Sequence, residues 1–212
     1  MPKRSDFDLE QAAWMKRVDQ YIKEAEEHLA LPHGTLADIR HDTDYLKILK
    51  MHATVEPLLN ELLEESVTRA MRHPKVSFPG GEAIGKFIVG GPLRSKIKLA
   101  RESELLTDTH VEFVAALADV RNFYAHSVKN MTMRIDEVAE KLSPSDKGFR
   151  LQKRLFGLST DSKDNGVSRV ALAMIQPFMF FHFAGLLSAL ISGIKPPPSL
   201  GPLLSGLQAG QP

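Results

Sequence analysis

The sequence predicts an all-α fold, a bundle of about five to six helices, on three observations. Apolar residues recur at spacings of three and four through several long segments, which gives a helix one buried face. Pro and Gly fall where those segments stop, at Pro32-His33-Gly34, at His73-Pro74 and in the Pro-rich end from Pro196, and both residues break helices. The composition is 43% hydrophobic and 25% charged, enough for a real core and ordinary for a globular chain.

At 212 residues the expected organisation is one helical domain over 1–195, followed by a Pro/Gly-rich tail over 196–212 that is extended or disordered. Net charge is +1, so no global field calls for nucleic acid or an anionic membrane, and any basic patch must be local. There is no cysteine, which removes disulfides, thiolate metal sites and a cysteine nucleophile. That absence fits a reducing compartment. The charged N-terminus, Met1 to Asp6, is not followed by an apolar run, so no signal peptide is expected. The expected location is cytoplasmic.

Taken in order, the first helix is expected over Asp6 to Ala30, carried by Phe7, Trp14, Val18, Tyr21, Ile22, Ala25 and Leu29. The second starts with Asp42 or Thr43 as N-cap and runs to His73-Pro74 through Leu46, Leu49, Val55, Leu58, Leu59, Leu62, Leu63 and Val67. Its wide apolar stripe predicts neighbours on more than one side. Gly80-Gly81-Glu82-Ala83-Ile84-Gly85-Lys86 matches most of a phosphate-binding loop. Phe87 stands where the magnesium-binding Ser or Thr is needed, and Gly90-Gly91 leave no long helix to aim at a phosphate. A connecting loop or short β-element is expected there.

A third helix is expected from Pro92 to Glu104, and Thr109-His110-Val111-Glu112 has the pattern of a capping box opening a fourth. Helical turns follow around Arg134 to Lys141, then a charged, partly helical stretch to Arg154. Asn165 or Ser168 is placed to cap the last helix. Val170 to Ile194 carries no charged residue and is long enough to span a bilayer. Gln176, Pro177, His182, Ser188 and Ser192 interrupt it, and few basic residues flank it. It is therefore expected to be a core or dimer-forming helix rather than a membrane span.

The chemistry concentrates in Asp119-Val120-Arg121-Asn122-Phe123-Tyr124-Ala125-His126-Ser127. An arginine, an asparagine and a histidine stand there in an apolar, aromatic stretch. His can move protons, Arg can stabilise charge on a phosphoryl group in transit, and Asn can hold a His tautomer or a phosphate oxygen. These groups suffice for metal-independent cleavage of RNA, in which the ribose 2′-hydroxyl is the nucleophile. From residue types alone a structural role is the commoner explanation, with Arg121 bridging to a carboxylate and His126 satisfying a carbonyl. Each helical residue advances about 100°, so Asn122 and His126 share a face while Arg121 and His126 are separated by roughly 140°. One chain alone does not converge that pair.

Arg121-Asn122-Phe123-Tyr124-Ala125-His126 resembles the signature of the HEPN superfamily, whose ribonuclease members carry an Arg, an adjacent polar residue and a following His. Gly91-Pro92-Leu93-Arg94-Ser95-Lys96-Ile97-Lys98-Leu99-Ala100, then Leu105-Leu106, is similar to mannitol-operon-repressor-like proteins of that type. The resemblance covers about residues 42 to 130. It implies a HEPN-type bundle acting as a homodimer, with Arg121 and His126 as the catalytic pair and Asn122 in support. It implies RNA as substrate, with an antitoxin or regulatory protein as partner if the role is toxin or defence related. Its alternative is a non-catalytic regulatory or binding module.

Candidate RNA contacts are Arg94, Lys98 and Arg101 on one helix face, together with Tyr124. Arg150, Lys153 and Arg154 form a second basic cluster. Each neutralised phosphate adds salt dependence to binding. No metal or cofactor is expected: the histidines show no Glu-x-x-His or His-Glu-x-x-His spacing, and helix-end histidines commonly interact with carbonyls. A fourth helix carrying Glu112, Asp119 and many apolar residues is a poor reader of a DNA groove.

Overall fold

The computed structural model describes residues 6–71, 88, 90–146, 148–156 and 176–194. These residues form seven α-helices and no strand. They are α1 (Asp6–His28), α2 (Asp44–Met71), α3 (Leu93–Glu102), α4 (Asp108–Ala125), α5 (Ile135–Leu142), α6 (Phe149–Leu155) and α7 (Gln176–Ile194). Short 3₁₀ turns at Ala37–His41, Val128–Thr132 and Pro144–Asp146 join some of them. The fold class read from periodicity is the fold observed. The phosphate-loop-like segment, the caps at Asn165 and Ser168, the start of the apolar stretch before Gln176 and the 196–212 tail lie outside the described residues.

Helix α2 is the axis of the bundle. Ile48, Met51, Val55, Leu58, Leu59, Leu62 and Leu63 are buried along it, on a stripe wide enough to meet α4 and α7 together. Helix α1 offers Val18, Ile22 and Ala25 to the core, at the spacing that keeps them on one face, and packs on α7. Around α4 gather α2, α3, α5 and α6. Its buried residues are Val111, Phe113, Val114, Ala116, Leu117, Val120 and Tyr124.

The apolar helix α7 is spent on the core of its own chain. Met179, Phe180, Phe183, Ala184, Leu186, Leu187, Leu190 and Ile191 are all buried, against α1 and α2. Among the described residues no helix is long and apolar enough to cross a membrane.

One cap differs from expectation. Helix α4 opens on Thr107 rather than Thr109: the Thr107 side chain accepts the His110 N–H at 3.3 Å. The reason lies upstream. Glu104 turns the chain with a left-handed φ of 53° and Leu106 drops into the core, so the backbone re-enters a helix two residues early. Further on, Asp44 at the start of α2 accepts the Ile135 N–H at 3.0 Å, while Glu137 accepts the Arg134 N–H at 2.8 Å. Two carboxylates thereby satisfy amides that the first turn of α5 leaves open.

Candidate functional site

The exposed face of α4 is the floor of two neighbouring clefts. Val120 and Tyr124 turn inward, while Arg121, Asn122 and His126 turn to solvent. The anomaly of charged groups in an apolar stretch resolves into helical phase: the apolar members face the core and the polar members do not.

The first cleft, of about 730 Å³, is lined by Asn122, Phe123 and His126 of α4 and its end, with Arg94, Leu142, Arg150 and Arg154 around them. The second, of about 740 Å³, holds Arg121 with Lys98 and Arg101 of α3 and with His52 and Glu56 of α2. Both volumes fall in the range of ligand-binding clefts, about 300–1,000 Å³. Arg94, Asp119, Asn122 and Arg154 line both. Arg121 lines the second cleft and His126 the first, on either side of the residues the two clefts share. Helix α4 ends at Ala125 with His126 as its C-cap, whose N–H is shared between the carbonyls of Asn122 at 3.2 Å and Phe123 at 3.3 Å.

The Arg121 guanidinium donates to the Asn122 Oδ1 at 3.1 Å, and among the described residues neither Arg121 nor His126 forms an ion pair with a carboxylate. Cations outnumber carboxylates in both clefts, although the whole chain is nearly neutral. Two of the pairs they make are surface pairs. Lys98 meets Glu102 at 3.7 Å and Arg101 meets Asp108 at 2.7 Å, with all four side chains more than half exposed; such pairs contribute about 0–1 kcal/mol.

Two expected contacts are corrected. Tyr124 is buried, with its ring edge-on to Tyr45 at 5.5 Å and its hydroxyl donating to the Met133 carbonyl at 3.0 Å. It has no surface on which a base can stack. Lys153 turns inward as well, 5% exposed, with its ammonium 4.7 Å from the centre of the Phe149 ring. The second basic cluster is thus Arg150 and Arg154 alone.

Sequence reasoning passes over His52 and Glu56 and assigns no role to Asp119, the first residue of the motif segment. Burial lowers the His52 pKa; Glu56 pulls it up and Arg121 pushes it down. Its ring lies 3.8 Å from the Glu56 carboxylate. The i, i+4 spacing of His52 and Glu56 was visible, but nothing in the sequence says that α2 delivers them to the cleft of Arg121. Asp119 receives Arg94 from α3 at 3.5 Å and Arg154 from α6 at 3.7 Å, one on each carboxylate oxygen. Among the described residues no cluster of His, Asp and Glu is arranged to hold a metal ion. Comparison with family models, with curated proteins and with solved structures finds no match for the chain.

Proposed function

We propose that the chain is a HEPN-type endoribonuclease that cleaves RNA without a metal and works as a homodimer. The observation that supports this best is the state of the motif. Arg121, Asn122 and His126 are exposed on one helix end, and the carboxylate bridge of a structural arginine is missing among the described residues. The motif pair lines two adjoining clefts of one chain, and in the composite site His126 of one copy works with Arg121 of the partner subunit.

The chemistry follows from the groups. An imidazole accepts the proton of the ribose 2′-hydroxyl as its oxygen attacks phosphorus. The P–O2′ bond forms, the P–O5′ bond breaks, and a second imidazole returns a proton to the leaving oxygen, giving a 2′,3′-cyclic phosphate and a 5′-hydroxyl. A guanidinium holds the charge gathering on the equatorial oxygens. His126→Ala is expected to lose EDTA-resistant RNA cleavage by about 10²–10⁴-fold. Full activity in that variant removes the catalytic role.

The division of the pair between two clefts also supports a second reading, a non-catalytic binding or regulatory module of the mannitol-operon-repressor-like type. A dimer that binds RNA or a protein partner and leaves RNA intact is its signature.

A further inference from the structure

We propose that the two clefts form one track for a single RNA strand, in which Arg94 and Arg154 grip a phosphate at the divide and Asp119 competes with it for them. The RNA ligand rests on the function proposed above; the track rests on geometry. Arg94 arrives from α3 and Arg154 from α6, and the Asp119 carboxylate takes one on each oxygen. Both clefts share that divide. At 3.5 and 3.7 Å these contacts are longer than the 2.7–2.9 Å of a strong charge-assisted hydrogen bond. Arg94 is 90% exposed, so exchanging its contact with Asp119 for a phosphate oxygen forfeits little, while Arg154, 26% exposed, is held in place beside it.

Cations continue to either side. Lys98 and Arg101 stand along the second cleft and Arg150 along the first, their side chains 74%, 57% and 81% exposed. A mononucleotide is small enough to stay within one cleft. Only a polymer with phosphates in sequence reaches cations on both sides of the divide. Asp119 is then a positioning residue: it holds two guanidiniums in place while the track is empty, and its charge weakens every strand that enters.

The test is fluorescence anisotropy with a labelled single strand of about a dozen nucleotides, 2′-O-methylated throughout so that it binds without being cut, titrated over a range of salt. Asp119→Asn is expected to tighten binding about three- to tenfold. Arg154→Gln is expected to weaken it about tenfold and to flatten the log–log salt slope by about 0.7 for each phosphate that is no longer neutralised. Arg94→Gln, at a site too exposed to disturb folding, should repeat that weakening. Unchanged or weakened binding by Asp119→Asn overturns the proposal, as does a trinucleotide that binds as tightly as the long strand. Cleavage by wild type and His126→Ala is read separately: a His126→Ala enzyme that still cuts removes the catalytic role and leaves the track standing, whereas cleavage without the sign-opposed affinities removes the track and leaves the nuclease.

Discussion

Tyr124 shows what a single position can hide. Its aromatic ring and hydroxyl, next to Arg121 and Asn122, suit an RNA contact on composition, yet the helical phase that exposes Asn122 and His126 sends Tyr124 inward. Burial raises the pKa of its phenol, and the carboxylates of Asp44, Asp136 and Glu137 raise it further. It stays a neutral donor. Its hydroxyl fixes the segment after α4 through the Met133 carbonyl, and the Asn130 amide does the same by donating to the Phe123 carbonyl at 2.7 Å. Tyr124→Phe removes one partly buried hydrogen bond and leaves a carbonyl short of that donor, at a cost of about 1 kcal/mol. For a chain of this size that lowers the melting temperature by roughly 2–4 °C. RNA affinity should be unchanged. A thermal melt paired with anisotropy checks both, and an affinity loss without a stability loss would return Tyr124 to the binding surface. At this scale the sequence was informative where spacing decides the answer, as for Arg121 against His126. It was silent where a partner from another helix decides it, as for Asp119.

Elements carry the site, and the shortest of them carries two of its cations. Helix α6 has seven residues, too few to be stable by itself. It is held by Leu151 and Leu155 in the core and by its start at Gly148. There the chain takes φ +78°, and a Cβ would meet the Ala139 carbonyl carbon at 2.5 Å and the Glu140 nitrogen at 2.6 Å. Those are backbone atoms of α5, which cannot move aside as a side chain does. Gly148→Ala combines a left-handed backbone with a clash, and about 2–4 kcal/mol of lost stability is expected. Because Arg150 and Arg154 follow within the next two turns, the variant should also bind RNA more weakly. Chemical denaturation followed at α6 measures the first effect; wild-type stability in the variant would mean that α5 and α6 part easily at this junction. The sequence showed only a charged, partly helical stretch here, because a seven-residue amphipathic pattern is too brief to separate Lys153, which turns in, from Arg150 and Arg154, which turn out. The long helices were readable for the opposite reason: α2 repeats its apolar spacing over many turns, and only one phase fits.

The molecule as a whole should respond to acid in two windows that adjoin between about pH 4 and 5. Helix α7 meets α4 through His182, whose ring stands edge-on to Phe113 at 4.7 Å and 5.4 Å from the ring of His110. Buried nitrogens of both rings, His110 Nδ1 and His182 Nε2, have no hydrogen-bond partner among the described residues. A proton added to either nitrogen therefore arrives in apolar surroundings. Burial pushes His182 down to about 4, helped by the neighbouring His110 and opposed by a hydrogen bond to the Thr109 backbone; burial also lowers His110. With folded values below the ordinary 6.5, the unfolded chain binds these protons first. Their stabilisation is full above about pH 6.5 and is lost as pH falls toward 4. For His182, allowing for partial exposure, the loss amounts to about 2–3 kcal/mol. The second window lies lower. Burial raises the Glu26 pKa, but hydrogen bonds from the Gly34 and Leu36 amides, the His33 ring and the Ala37 amide bring it below 4.5, so its contribution holds above 4.5 and fades only as pH drops through that lowered value. Urea titrations at pH 7.5, 5 and 3.5 separate the windows. His182→Leu should abolish most of the loss between pH 7.5 and 5 and should shrink, without removing, the step between pH 5 and 3.5. An unaltered upper step in that variant would mean that the α4–α7 joint is not where acid first acts on the fold.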